Sequence, residues 1–125
     1  MGIIATMSAW LLAFAFTQLI EVPIYIRALL ERLPEREPVC KRWPAALAIA
    51  FGASAVTHPI VWFVMPKLIP GSWLTMVIVA ELFAITVEAA WLRGFGLQRS
   101  LAWAAFANSA SVAIGLLLRQ TLGWP

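Results

Sequence analysis

The sequence predicts an all-α polytopic membrane protein: a compact bundle of four transmembrane helices, built as a single domain over residues 1–125, with both termini on the non-cytoplasmic side. Three observations lead there. Hydrophobic residues make up 62% of the chain and charged residues only 12%, against about 45–50% and roughly 25% in soluble domains. Four apolar stretches approach or exceed the ~20 residues a helix needs to cross the hydrocarbon core. Seven of the nine basic residues are gathered at two of the three connections between those stretches. The same composition, with a mean hydropathy of +0.88, excludes a disordered chain, which is one too poor in apolar residues to form a core. A disulfide scaffold is excluded because Cys40 is the single cysteine.

The first span covers about residues 3–26 and begins without the basic segment of a secretory signal, so it is expected to remain part of the protein. The second covers 44–65, opened by Pro44 after the charged connection ERLPEREPVCKRWP. The third runs over 73–92 and the fourth over 101–118. Continuous apolar runs of this length specify helices and do not alternate as the strands of a membrane barrel do. Together the spans leave no room for a soluble catalytic domain.

Orientation follows from charge. Arg27, Arg32, Arg36, Lys41, Arg42, Arg93 and Arg99 lie on one side of the predicted bundle, and Lys67 and Arg119 on the other. Basic residues in short loops are retained in the cytoplasm. That assigns the loops 27–43 and 93–100 to the cytoplasmic face of an inner membrane of bacterial type. Cys40 then faces a reducing compartment, where a free thiol is the ordinary state. Tryptophans mark the two interfaces: Trp43, Trp91 and Trp103 the inner, Trp62, Trp73 and Trp124 the outer. The net charge of +3 does not point to nucleic acid, because no basic stripe is interleaved with exposed aromatics. The expected partners are the lipid bilayer and either further copies of this chain or another membrane protein.

The chemistry lies in the polar residues at membrane depth. An ionisable group at a helix centre costs at least about 2.5–3.5 kcal/mol, so such groups face a bundle interior or a cavity. The candidates are Glu21, His58, Glu81 and Glu88, with Gln18, Thr57, Asn108, Ser109 and Ser111 as neutral companions. A rise of 1.5 Å per residue puts Glu21, Glu88 and Asn108 at roughly 7–12 Å from the cytoplasmic helix ends. His58 and Glu81 both lie about 13.5 Å from the opposite ends, which predicts a facing pair in a second layer. Glu81 and Glu88, seven residues apart, share one helix face, as do Gln18, Glu21 and Tyr25. Rows of small residues, Ala46–Ala50–Ser54 and Ala107–Ser111–Gly115, permit close helix approach. Pro23 and Pro59 stand beside the polar positions and free the carbonyls of Leu19 and Ala55.

Phosphate-binding glycine loops, paired metal-binding cysteines and His-x-x-x-His spacing are all missing from the sequence. Ser54, His58 and Glu81 form only a formal nucleophile–base–acid set. The function expected is therefore binding or conduction of a proton or small cation. Glu21, His58, Glu81 and Glu88 would handle the ion, with Asn108 and Gln18 as neutral ligands or orienters. An accessory or structural subunit of a larger membrane complex is the alternative, its polar groups holding helices together. A metal-dependent intramembrane enzyme ranks below both. Its ligands would be His58 and Glu81, with Glu21 or Glu88 as general base. The balance leans away from an enzyme. No organic cofactor is implied, and a bound cation is the candidate occupant.

Overall fold

The computed structural model describes residues 2–123 of the chain. It is all-α: α1 spans Ile3–Leu30, α2 Trp43–Phe63, α3 Met65–Leu68, α4 Trp73–Gly94 and α5 Ser100–Leu122. Four runs are long and apolar enough to cross a membrane: α1, α2 with α3, α4, and α5. Each long helix packs on two others, in the cyclic order α1, α2, α4, α5. The helices of each diagonal stay apart, which leaves an axial space for side chains.

The sequence limits need adjustment at four places. α1 runs on to Leu30, because Ala28 and Leu29 are buried in the core and the chain first becomes extended at Glu31. The second span is not one unbroken helix, since it is interrupted at Val64 before the short α3. Pro66 explains that interruption: it has no N–H to continue the ladder, and its ring presses on the preceding turn. α4 runs two residues past 92, to Gly94. α5 continues four residues past 118 and ends where Gly123, at φ 65°, closes on the Arg119 carbonyl. Pro23 and Pro59 both lie inside continuous helices. Trp124, expected at one interface, lies outside the described residues.

The interior is built from small residues. Ala46, Ala50 and Ala53 of α2 and Ala104 and Ala107 of α5 are fully buried, while Leu19 is 76% and Leu117 57% exposed. This is the packing expected where lipid, not water, surrounds the helices and backbone proximity supplies the contact. The larger core residues, Tyr25, Leu29, Leu92 and Leu97, are concentrated toward the end carrying the two charged connections. The polar residues lie beyond them, toward the other end.

Candidate functional site

Two carboxyl groups stand at the centre of the site. Glu21 of α1 and Glu88 of α4 are each 1% exposed. Ser54 of α2 donates to Glu21 Oε2, and Ser111 of α5 to Glu21 Oε1 at 2.7 Å. Thr57 of α2 donates to Glu88 Oε1 at 2.7 Å. Glu88 Oε2 receives the Tyr25 hydroxyl and, at 2.9 Å, the Asn108 amide. All four carboxyl oxygens therefore have a donor, and every long helix contributes at least one group.

Helix periodicity is what brings these groups together. Ser54 and Thr57 are three residues apart on α2, and Asn108 and Ser111 three apart on α5, so each pair occupies one face. The two networks meet on α5, where Ser111 Oγ also lies 3.0 Å from the Asn108 carbonyl. One hydroxyl proton serves one acceptor at a time, so Ser111 can serve Glu21 or its own helix. Thr57 has the same choice, with the Ser54 carbonyl 3.3 Å away. The donors can thus reorient as the carboxyl groups gain or lose charge.

A cavity of about 220 Å³ extends from this network toward the end opposite the charged connections. Glu21, Glu88, Asn108 and Ser111 lie at its deep end, Glu81 and His58 on its walls, and Arg119 lines it near the end of α5. Arg119 lies 5.2 Å from the ring centroid of Trp73, within cation–π range. Beyond the carboxyl groups, on the other side, the bundle closes with Tyr25, Leu29 and Leu92, none of which is exposed. The site is a one-sided recess.

The inner layer expected from helix rise is present, since Glu88 bonds Asn108 directly and Glu21 is tied to the same helix through Ser111. The expected facing of His58 and Glu81 is not. His58 Nδ1 instead accepts the Trp10 indole N–H at 3.1 Å. The imidazole sits among Trp10, Phe14 and Trp62, with centroids 6.4, 5.3 and 6.3 Å away. Depth along a helix was matched, but the direction of the side chain was set by the aromatic residues of α1. Glu81 has no hydrogen-bond partner among the described residues and shares only the cavity with His58.

Gln18 departs from the site as well. Its amide donates to the Phe51 carbonyl of α2 at 3.3 Å, and its Oε1 is buried without a partner among the described residues. Ser109 faces outward. Among the described residues there is no group of three or more His, Cys, Asp or Glu side chains placed to hold a metal ion.

The sequence places Tyr25 on the face of Glu21, and Ser54 in a row of small residues and in a formal set with His58 and Glu81; in the structure both donate directly to the carboxyl groups. Trp10 was not singled out at all. Its spacing to Phe14 on α1, one helical turn, is the signal that would have marked an aromatic face meeting His58. No family model, curated protein or solved structure matches this chain.

Proposed function

We propose that this chain is a membrane protein that binds a proton or small cation at Glu21 and Glu88, reached through the recess walled by Glu81 and His58. The observation carrying this reading is that no basic side chain among the described residues is paired with Glu21 or Glu88; Arg119, which lines the same recess near the end of α5, lies over Trp73 instead. Glu21 and Glu88 are buried in one network of neutral donors, and the one ion pair among the described residues, Lys41–Glu37, is elsewhere on the surface. A buried carboxylate without a paired cation is costly, and hydroxyl donors satisfy its oxygens without cancelling its charge. A proton or an entering cation supplies the missing positive charge. Oxygen ligands from two carboxyls, three hydroxyls of Ser and Thr and a phenol suit a hard cation.

The seven basic residues of 27–43 and 93–100 support a cytoplasmic placement of those connections. The recess then opens to the outer face. Its closed far end favours reversible binding from one side in this conformation over continuous conduction.

Infrared difference spectroscopy on the chain in nanodiscs tests the reading. Carboxyl bands are followed across pH and with sodium, potassium or magnesium. The expected result is a carboxyl signal that responds to pH or to one cation in wild type and is lost in Glu21→Gln and Glu88→Gln. Bands indifferent to pH and to all three cations would make these carboxyl groups structural and overturn the proposal.

A further inference from the structure

A second concavity, of about 940 Å³, lies at the other end of the bundle, between the last turns of α1, the connection after it and the start of α5. Arg27, Arg36 and Arg99 line it, and none of their guanidinium groups has an ion-pair or hydrogen-bond partner among the described residues. Two acidic residues, Glu31 and Glu37, also line it, but Glu37 is within 3.9 Å of Lys41 outside the groove. Positive charge is therefore in excess. Arg99 is held at φ 55°, a left-handed conformation that favours glycine, so the fold keeps an arginine at a position where its backbone is strained.

The groove continues into an apolar wall. Ile24 lies one turn before Arg27 on α1, and Phe106 two turns after Arg99 on α5, so both stand on the bilayer side of the arginines. Phe106 is 60% exposed, and Trp103, which also lines the groove, lies between Arg99 and Phe106 along α5, the depth an interfacial indole favours. An arginine cluster joined to an exposed apolar face matches an amphiphile with an anionic head. Guanidinium groups bind phosphate oxygens through paired N–H donors.

We propose that this groove binds one anionic phospholipid, its phosphate held by Arg27, Arg36 and Arg99 and its acyl chains lying along Ile24 and Phe106. The site is independent of the carboxyl recess, which lies at the far end of the bundle. Basic pockets between membrane helices on the cytoplasmic side recognise anionic headgroups in this way.

Native mass spectrometry of the chain released from nanodiscs of equal phosphatidylglycerol and phosphatidylcholine tests the proposal. Wild type is expected to retain phosphatidylglycerol in clear excess, at one molecule per chain. Arg27→Gln, Arg36→Gln and Arg99→Gln should each lower that retention about tenfold or more, the loss of one direct hydrogen bond between charged groups. Arg32→Gln and Arg42→Gln, which remove equal charge outside the groove, should leave it unchanged. Equal retention of the two lipids by wild type overturns the proposal without recourse to any variant. Equal losses from the Arg32 and Arg42 variants would reduce the effect to diffuse surface charge and also overturn it. Displacement of the lipid by glycerol phosphate would assign the groove to a soluble phosphate, and retention of an acidic protein in place of lipid would assign it to a partner.

Discussion

Tyr25 on α1 and Glu88 on α4 are hydrogen-bonded across the diagonal of the bundle, between two helices whose backbones do not approach each other. The phenol and the carboxyl thereby fix the distance between opposite corners, which helix packing alone leaves open. Asn108 of α5 donates to Glu88 and lies 3.3 Å from the phenol oxygen. Tyr25→Phe keeps the ring and removes the donor. The expected loss is about 1 kcal/mol, that of a typical buried hydrogen bond, because Asn108 still serves Glu88 Oε2. Reversible unfolding in mixed micelles measures it; a neutral or stabilising effect would show that the diagonal contact holds nothing.

Glu88→Gln and Glu88→Ala should separate charge from structure. In the glutamine variant the carbonyl can face Tyr25 and Asn108, while its amide faces Thr57. The threonine proton then turns to the Ser54 carbonyl, 3.3 Å away. Ser111 allows the same accommodation of Glu21→Gln by turning to the Asn108 carbonyl. Both glutamine variants are expected within about 1 kcal/mol of wild type. Glu88→Ala removes the acceptor shared by three donors, strands the Tyr25 hydroxyl and opens a void, and a loss of about 3 kcal/mol or more is expected. A glutamine variant as damaged as the alanine one would mean that the charge itself holds the bundle.

His58 supplies a test of the aromatic wall. Because Nδ1 accepts from Trp10, the ring proton belongs on Nε2. Nitrogen NMR of the labelled imidazole should report that tautomer, and Trp10→Phe should shift the Nδ1 resonance. Glu81→Gln should leave it in place. The opposite pattern would restore a His58–Glu81 pair.

Cys40 offers a pH-dependent reporter outside the spans. It is 6% exposed, and burial pushes its thiol up from the ordinary range by disfavouring the thiolate. The folded chain then keeps its proton where an unfolded chain loses it. The stability this group contributes is full below the unfolded thiol pKa and declines as pH rises through the higher folded value. Maleimide labelling at neutral pH should be much slower in the folded protein than in the denatured one, and should accelerate in alkali. Equal rates in the two states would place the thiol in the open.

Gly52 gives the last prediction. A β-carbon there would lie 2.6 Å from Cζ2 of Trp91, whose indole N–H reaches the Ile49 carbonyl at 3.0 Å. Alanine improves helix propensity by about 1 kcal/mol, but overpacking of a close contact costs about 1–3 kcal/mol. Gly52→Ala should therefore destabilise modestly, and the penalty should shrink when combined with Trp91→Leu. A stabilised single variant would show that Trp91 moves aside freely.

The spans and the inner polar layer were legible because both depend on spacing along one helix. Apolar run length located α1, α2, α4 and α5 to within a few residues, and rise per residue placed Glu88 level with Asn108. Azimuth was less legible. Whether His58 turns to α4 or to α1 depends on how the helices are rotated about their axes, and Trp10 decides that through a contact 48 positions away in sequence. Gln18 shares the face of Glu21 yet lies nearly one turn away along α1, where its amide meets the Phe51 carbonyl of α2 and not the carboxyl network. The break at Val64 was written in Pro66, read in the sequence as part of a connection and not as the cause of a short α3.

The alanine-lined interior has a consequence for reading variation in this molecule. In a water-soluble domain the bulky apolar residues are the vulnerable ones, since truncating them opens voids. Here tolerance is inverted. Enlarging Ala46, Ala50, Ala53 or Ala107, each 0% exposed, should push helices apart and pull the donors away from both carboxyl groups, so a single added methylene group that never enters the recess should alter its dimensions. Exchanging Leu19 or Leu117 for another apolar side chain only changes the outer surface of the bundle. The information that keeps this bundle in register is carried by how little its inner residues protrude.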